Sequence, residues 1–216
     1  METVHEGRRK RLTREESRAQ TRERLIEAAY QLFSTEGVEA TSIDRIAEYA
    51  GYSRGAFYSN FDSRDALLAA LTERKSERVE ADFQRLEDAG LSPEGMVQAL
   101  RDYALEMTAD RKACLFYLEL EMYGVRHPEV RELIGKFVRK DTRRAARFLD
   151  NLFASWGVHD HPPSELIISS YIALAQGLTM RQIVDPGGLS DQMLHDSLTL
   201  YFDSAVTANI PQLRTR

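Results

Sequence analysis

Residues 41–61, TSIDRIAEYAGYSRGAFYSNF, constrain this chain more than any other stretch. Their spacing predicts two short helices joined by a tight glycine turn. Thr41 stands where an N-cap is wanted, with Asp44 three residues on in the manner of a capping box, and the first helix is expected over 42–50. Ile43, Ile46, Ala47 and Ala50 then share one face at helical spacing. Gly51 follows where a left-handed C-cap residue belongs. Ser53 can cap a second helix whose back carries Phe57 and Phe61 and whose front carries Arg54, Tyr58 and Asn60. Two such helices form the pattern of a helix-turn-helix. An ordinary hairpin in a helical bundle would show it too, so the flanking sequence has to decide.

Composition narrows the class. The chain has 216 residues, enough for one or two domains with a sizeable core. Helix formers dominate, there are only six prolines, and no strand alternation or internal repeat is visible. No window approaches the roughly 18 uninterrupted apolar residues that read as a membrane span, and the N-terminal residues lack the apolar core of a secretory signal. A single cysteine, Cys114, excludes an intrachain disulfide and fits a reducing, cytoplasmic setting. The net charge of −5 excludes a uniformly basic nucleic-acid binder but not a locally basic one. Residues 1–18 read as a basic arm: Arg8, Arg9, Lys10, Arg11, Arg14 and Arg18 stand against Glu15 and Glu16, an asymmetry that suits a nucleic-acid arm. A disordered tail is the alternative, and the two are compatible because such arms can order on DNA.

In chain order, an amphipathic helix is expected over 18–36 on Leu25, Ala28, Ala29, Leu32 and Phe33, ended by Gly37. Ile43 and Ile46 can pack on Leu32 and Phe33, closing a three-helix core over 19–71. A fourth helix starts near Ser63 on Leu67, Leu68 and Leu71, then turns highly charged, as a connector between packed units would. From Pro93 every segment reads helical: one helix on Met96, Val97, Leu100, Tyr103, Ala104 and Met107; one on Leu115, Leu118 and Met122, stopped by Gly124; and a long one from Pro128 to Trp156. The long helix turns Leu133, Phe137, Phe148, Leu149 and Leu152 inward and shows a basic outer face of Arg139, Lys140, Arg143, Arg144 and Arg147. Residues 166–184 are apolar on nearly all sides, as expected of a helix with one face on its own core and another on a second copy. Leu194, Leu198, Tyr201, Phe202 and Ala205 mark a final amphipathic helix.

With residues 22–71 read in full, RERLIEAAYQLFSTEGVEATSIDRIAEYAGYSRGAFYSNFDSRDALL within them, the sequence resembles the TetR/AcrR family of one-component transcriptional repressors. The LF…G ending of the first helix, the T-S-I…IA…AG block and the S-R-G-x-x-Y-x-x-F…S-R-x-x-L block carry the resemblance. It covers about the first third of the chain; the rest matches in general plan. The implied fold is all-α: a three-helix DNA-binding domain with its helix-turn-helix, then, over 72–216, an all-helical ligand-binding and dimerisation domain. The implied function is a repressor that a small effector releases from a palindromic operator on double-stranded DNA. No enzyme activity and no cofactor are implied. A helical protein-interaction module that kept the fold without operator binding is the alternative.

The resemblance also implies site residues. Ser53, Arg54, Gly55, Tyr58 and Asn60 hold positions where the family's recognition helix meets the major groove and its phosphates. Arg54 could fork onto a guanine, Asn60 could pair an adenine edge or a phosphate, and Tyr58 could donate to a phosphate. Thr41 and Ser42 sit at a helix N-terminus suited to phosphate, and Arg64 takes a basic position at the start of the fourth helix. The family often has His at Asn60 and Lys at Arg64, which leaves the bases read open. A homodimer through the two C-terminal helices would space two such heads, with Ala173, Ala175 and Gly177 allowing close approach. Tyr103, Met107, Phe116, Tyr117, Leu120, Phe137 and Trp156 are the expected lining of a pocket for a hydrophobic or planar effector.

Other signals point less far. His159-Asp160-His161 lacks a further ligand nearby in sequence, so no metal is expected. Cys114, near Arg111 and Lys112, could be a redox sensor, but a semi-buried helical cysteine is the commoner case.

Overall fold

The structure, a computed structural model, describes residues 13–213. The basic cluster Arg8–Arg11 therefore lies outside the described residues. The first helix, α1 (Arg14–Glu36), begins four residues before the expected start because Thr13 and Glu16 form a capping box. Glu16 N–H donates to Thr13 Oγ1 and Thr13 N–H to Glu16 Oε2, satisfying two otherwise free amides. Arg14 and Arg18 of the expected arm are thus helical.

In α2 (Ile43–Tyr49) the cap is Ser42, not Thr41: Ser42 Oγ accepts from Arg45 N–H. Thr41 is fully buried, and its hydroxyl donates instead to Gly37 O at 2.6 Å. Gly51, at φ +77°, ends α2 in a Schellman turn, with Gly51 N–H donating to Glu48 O and Tyr52 N–H to Ala47 O. Ser53 then caps the five-residue α3 (Arg54–Tyr58), whose only fully buried side chain is Phe57. Two caps and one glycine fix the angle between α2 and α3.

The 25-residue α4 (Arg64–Asp88), capped by Ser63, leaves the head and runs into the rest of the molecule. There follow α5 (Pro93–Ala109), α6 (Arg111–Arg126), α7 (Pro128–Ser155), α8 (Ser164–Val184) and α9 (Asp191–Ala205), then two short 3-10 turns, Thr207–Asn209 and Pro211–Leu213. Gly124 does not stop α6. It lies inside the helix, where a Cβ would come 3.0 Å from Ile134 Cδ1, so its bare backbone lets α7 fold back closely on α6.

Two cores hold these helices. The first joins Leu25, Leu32 and Phe33 of α1 to Ile46, Phe57, Phe61 and Leu68, and continues into Phe116 and Leu120 of α6 and Ile134 of α7. The head is therefore packed on the base of the second unit, and the expected boundary at 71/72 falls within α4. The second core joins Phe83 of α4 to Leu149 and Phe153 of α7, Ile167 of α8 and Phe202 of α9. On α7, Arg144 departs from the expected basic outer face. It is buried against α4, donating to Glu80 and to both carboxylate oxygens of Glu87, a pairing that makes burial of its charge tolerable. α8 is not buried all round within one chain: Leu166, Ile172, Met180 and Ile183 lie exposed, beside Met193 and Leu200 of α9. Among the described residues no helix is long and apolar enough to cross a membrane.

Candidate functional sites

The outward face of the helix-turn-helix carries Ser42, Ser53, Arg54, Gly55 and Tyr58, all exposed. Gly55 keeps this face flat, since even an added Cβ would meet only Ser53 Oγ at 3.7 Å. The Arg54 guanidinium donates to Asp44 Oδ2 at 2.8 Å and lies 5.6 Å from the Tyr58 ring centroid, so the two side chains project as a pair. At the other end, Arg18 and Arg22 of α1 donate to the main-chain carbonyls of Ser59 and Asn60, which places cations at the C-terminal end of α3. Arg45 and Tyr49 extend the same exposed face along α2 and were missed in the sequence. Their spacing of four, on the side of α2 away from Ile46 and Ala47, was the available signal.

Three expected members are turned elsewhere. Thr41 is interior. Asn60 folds its amide back, Nδ2 donating to Ala56 O at 2.8 Å, with Oδ1 buried and without a hydrogen-bond partner among the described residues. Arg64 points inward: its guanidinium donates to Val38 O and Thr41 O, and to the Tyr123 hydroxyl of α6 at 2.6 Å. All three side chains are engaged within the molecule, and Arg64 ties the head to α6. Tyr123 stacks in turn on His127, ring centroids 4.1 Å apart, and His127 bridges Glu39 of the head at 2.6 Å and Glu129 of α7 at 3.1 Å. The bond to Glu39 holds the His127 pKa above its ordinary value.

A cavity of about 200 Å³ opens between α4, α5, α6, α7 and α8. Tyr103, Met107, Tyr117 and Phe137 line it. The Tyr117 and Phe137 rings lie parallel, 5.8 Å apart. The other three expected lining residues do not reach it. Phe116 and Leu120 face the first core, where Phe116 meets the edge of Tyr30 at 5.4 Å. Trp156, at the end of α7, packs on the second core. Phe116 and Leu120 lie on the wrong side of α6 for the cavity, and Trp156 lies beyond the end of α7, about three turns past the cavity-lining Ala145.

The cavity also contains polar residues that the sequence had not marked. Asp141 of α7 accepts from Ser76 Oγ at 2.6 Å, and burial pushes its carboxyl pKa up to about 6 against the opposing pull of Ser76 and Lys140. Glu121 of α6 accepts from Gln176 of α8 at 3.3 Å. Tyr171, 3.5 Å from Thr108 across the cavity wall, and Cys114 complete the polar lining, and burial raises the pKa of both. A raised thiol pKa keeps Cys114 protonated, opposite to what a reactive thiolate needs. The signal for the two acids was register. Asp141 follows Phe137 by four residues and Glu121 follows Tyr117 by four, placing both on the inward stripe.

Comparison with known proteins bears on both sites. The family described as bacterial regulatory proteins, tetR family, matches residues 25–71, and the tetracyclin repressor-like C-terminal domain matches residues 91–208. HTH-type transcriptional regulators of Staphylococcus aureus strains USA300 and NCTC 8325 are each 32% identical over 100 residues, 46% of this chain. The chain spans about half the length of those curated relatives, 54% of each. Among solved structures, a TetR-family regulator from Rhodococcus sp. superposes with a TM-score of 0.72 at 19% identity, covering 87% of this chain and 99% of that one. Salmonella enterica GusR superposes at 0.70 and 21%, covering 92% and 100%. At such identities these two carry the fold alone.

Proposed function

Because the chain belongs to the TetR family of bacterial regulatory proteins, we propose that it is a DNA-binding transcriptional repressor, released from its operator by a small hydrophobic or aromatic effector. The observation that carries this reading is the outward face of the helix-turn-helix. Arg54 and Tyr58 stand exposed on a helix whose angle is fixed by two serine caps and a Schellman turn. Such a face can enter the major groove, with Arg54 releasing Asp44 to fork onto a guanine and Tyr58 donating to a phosphate. Ser42 and Ser53 lie at its edge, and Arg45 and Tyr49 widen it.

One head reads too few bases, so the operator would be palindromic and the active form a homodimer. The exposed apolar residues of α8 and α9 supply the surface, and Gly177, open on its outer side, permits close helix approach.

The cavity is the effector site in this reading. Two helices run from it to the head. α4 passes from Val79 and Phe83 at the cavity to Arg64 in its first turn. α6 passes from Tyr117 and Glu121 at the cavity to Tyr123, which holds Arg64. An effector that separates or rotates these helices shifts the head, and it can do so only by its differential affinity for the two arrangements.

The test is Arg54→Ala on an operator selected from random DNA. Loss of a bidentate base contact from each of the two heads, about 1–3 kcal/mol apiece, predicts roughly 30-fold or greater weakening of binding with the dimer unchanged in sedimentation. Binding that is unaffected by the change, or that shows no sequence preference, would favour an interaction module instead.

A further inference from the structure

The chemistry inside the cavity is unbalanced. Its walls are apolar and aromatic, and among the described residues no lysine, arginine or histidine lines it. Yet two carboxylates do, Glu121 and Asp141. Buried charges are ordinarily paired, because an unpaired one loses its hydration without recompense. Arg144, one turn beyond Asp141, obeys this rule with two acids. Asp141 does not. One of its oxygens takes the Ser76 hydroxyl, and the other accepts no hydrogen bond from the described residues. The adjacent Lys140 turns outward to Glu73 at 2.7 Å. Glu121, which is partly buried, has the neutral amide of Gln176 as its hydrogen-bond partner among the described residues.

The missing partner is a cation with an apolar body. An anionic ligand would meet two like charges in a poorly hydrated space. A neutral one would leave both carboxylates as they are. A cation would pair them, and the π-faces of aromatic walls attract it as well. A cavity near 150 Å³ accommodates benzene, so about 200 Å³ has room for one ring, or an equivalent alkyl group, with a short ammonium arm. We propose that the cavity selects a small organic ammonium ion, its nitrogen drawn by the carboxylates of Asp141 and Glu121 and its aryl or alkyl body against Tyr103, Tyr117 and Phe137. This inference rests on the reading of the cavity as the effector site and specifies what that effector is.

The experiment uses the full chain and three probes of one shape: 2-phenylethylammonium, 2-phenylethanol and 3-phenylpropionate, titrated calorimetrically at pH 7.5. A hydrogen bond to a charged group contributes about 1.5–3 kcal/mol, so the ammonium should bind roughly 10-fold or more tighter than the alcohol, and the carboxylate should not bind. Asp141→Asn and Glu121→Gln, both near-isosteric, should each narrow the ammonium-to-alcohol ratio, and together abolish it. Equal binding of the alcohol, binding of the carboxylate, no binding of the ammonium, or an unchanged ratio in the double variant would overturn the proposal. Operator affinity, measured separately by fluorescence anisotropy, distinguishes the two levels. Ammonium binding that leaves operator affinity unaltered upholds the ligand class and defeats the repressor reading. Operator release by a neutral or anionic compound, with no ammonium binding, does the reverse.

Discussion

The Arg64 guanidinium donates to the Tyr123 hydroxyl at 2.6 Å and lies 5.1 Å from the centre of the same ring, joining the first turn of α4 to the last turn of α6. Its other bonds go to the carbonyls of Val38 and Thr41, in the loop that leads into α2. One side chain thus ties the connector helix, the cavity-lining helix α6 and the base of the helix-turn-helix.

Removing the Tyr123 hydroxyl should loosen that tie. Tyr123→Phe keeps the ring and leaves a half-buried guanidinium short of an acceptor, a change of about 1–3 kcal/mol. The melting temperature should fall by about 2–12 °C for a chain of this size. The same variant should weaken the effector's influence on operator affinity. An unaltered response in anisotropy would mean that the head is coupled through another contact.

The neighbouring contact should depend on pH. Glu39 holds the folded His127 pKa above its ordinary value, so the contribution is fully present below about 6.5 and is lost as pH rises through the folded pKa. Glu39→Gln should therefore lower the melting temperature more at pH 6 than at pH 8.5. A difference independent of pH would show that the bridge carries no proton linkage.

Asp141 should show the same sign of pH dependence, in a more acidic window. Its folded pKa is raised, to about 6, so its stabilising contribution is present in acid and lost as pH rises through 6. Asp141→Asn, neutral throughout, should be more stable than the parent at pH 7.5 by about 1 kcal/mol after solvent screening. That corresponds to some 2–4 °C in melting temperature, narrowing towards pH 5. A less stable variant at pH 7.5 would indicate that the carboxylate is already satisfied.

Leu200, 69% exposed on α9, tests the assembly. Leu200→Arg places a charge on the apolar surface proposed to meet a second chain. Sedimentation should show monomers, with the helical content and melting of each chain retained and operator binding lost. A dimer that persists would place the interface elsewhere.

Much of the fold is legible in the residues because helix ends are local events. Ser53 and Gly51 act within four residues of themselves, and the structure places them where the pattern does. The misses are local too, but they are decided by competition. Thr41 and Ser42 are both good caps, and the burial of Thr41 against Gly37 O left the capping role to Ser42. Gly124 reads as a stop, yet close approach of Ile134 gives glycine a different use there.

The candidate sites divide differently. Arg54 and Tyr58 follow from position on a short capped helix, since nothing packs over them. Arg64 does not, because a long side chain at a helix start can reach outward to a phosphate or inward to a partner, and only the presence of Tyr123 from 59 residues away settles which. The cavity shows the same limit. Period and composition mark Tyr117 and Phe116 as equally apolar neighbours, and adjacent residues on a helix point about 100° apart.

By itself, then, the sequence determined the order and type of the α-helices among the described residues, the turn between α2 and α3, and the exposed pair Arg54 and Tyr58, because caps, glycine and amphipathic spacing act over a few residues. The tertiary structure alone decided that Arg64 is a tie within the molecule, that Arg144 is interior, and that Asp141 and Glu121 share one apolar space. Those outcomes depend on which faces of distant helices meet, and a charged residue's meaning changes with whether its counter-charge arrives with them.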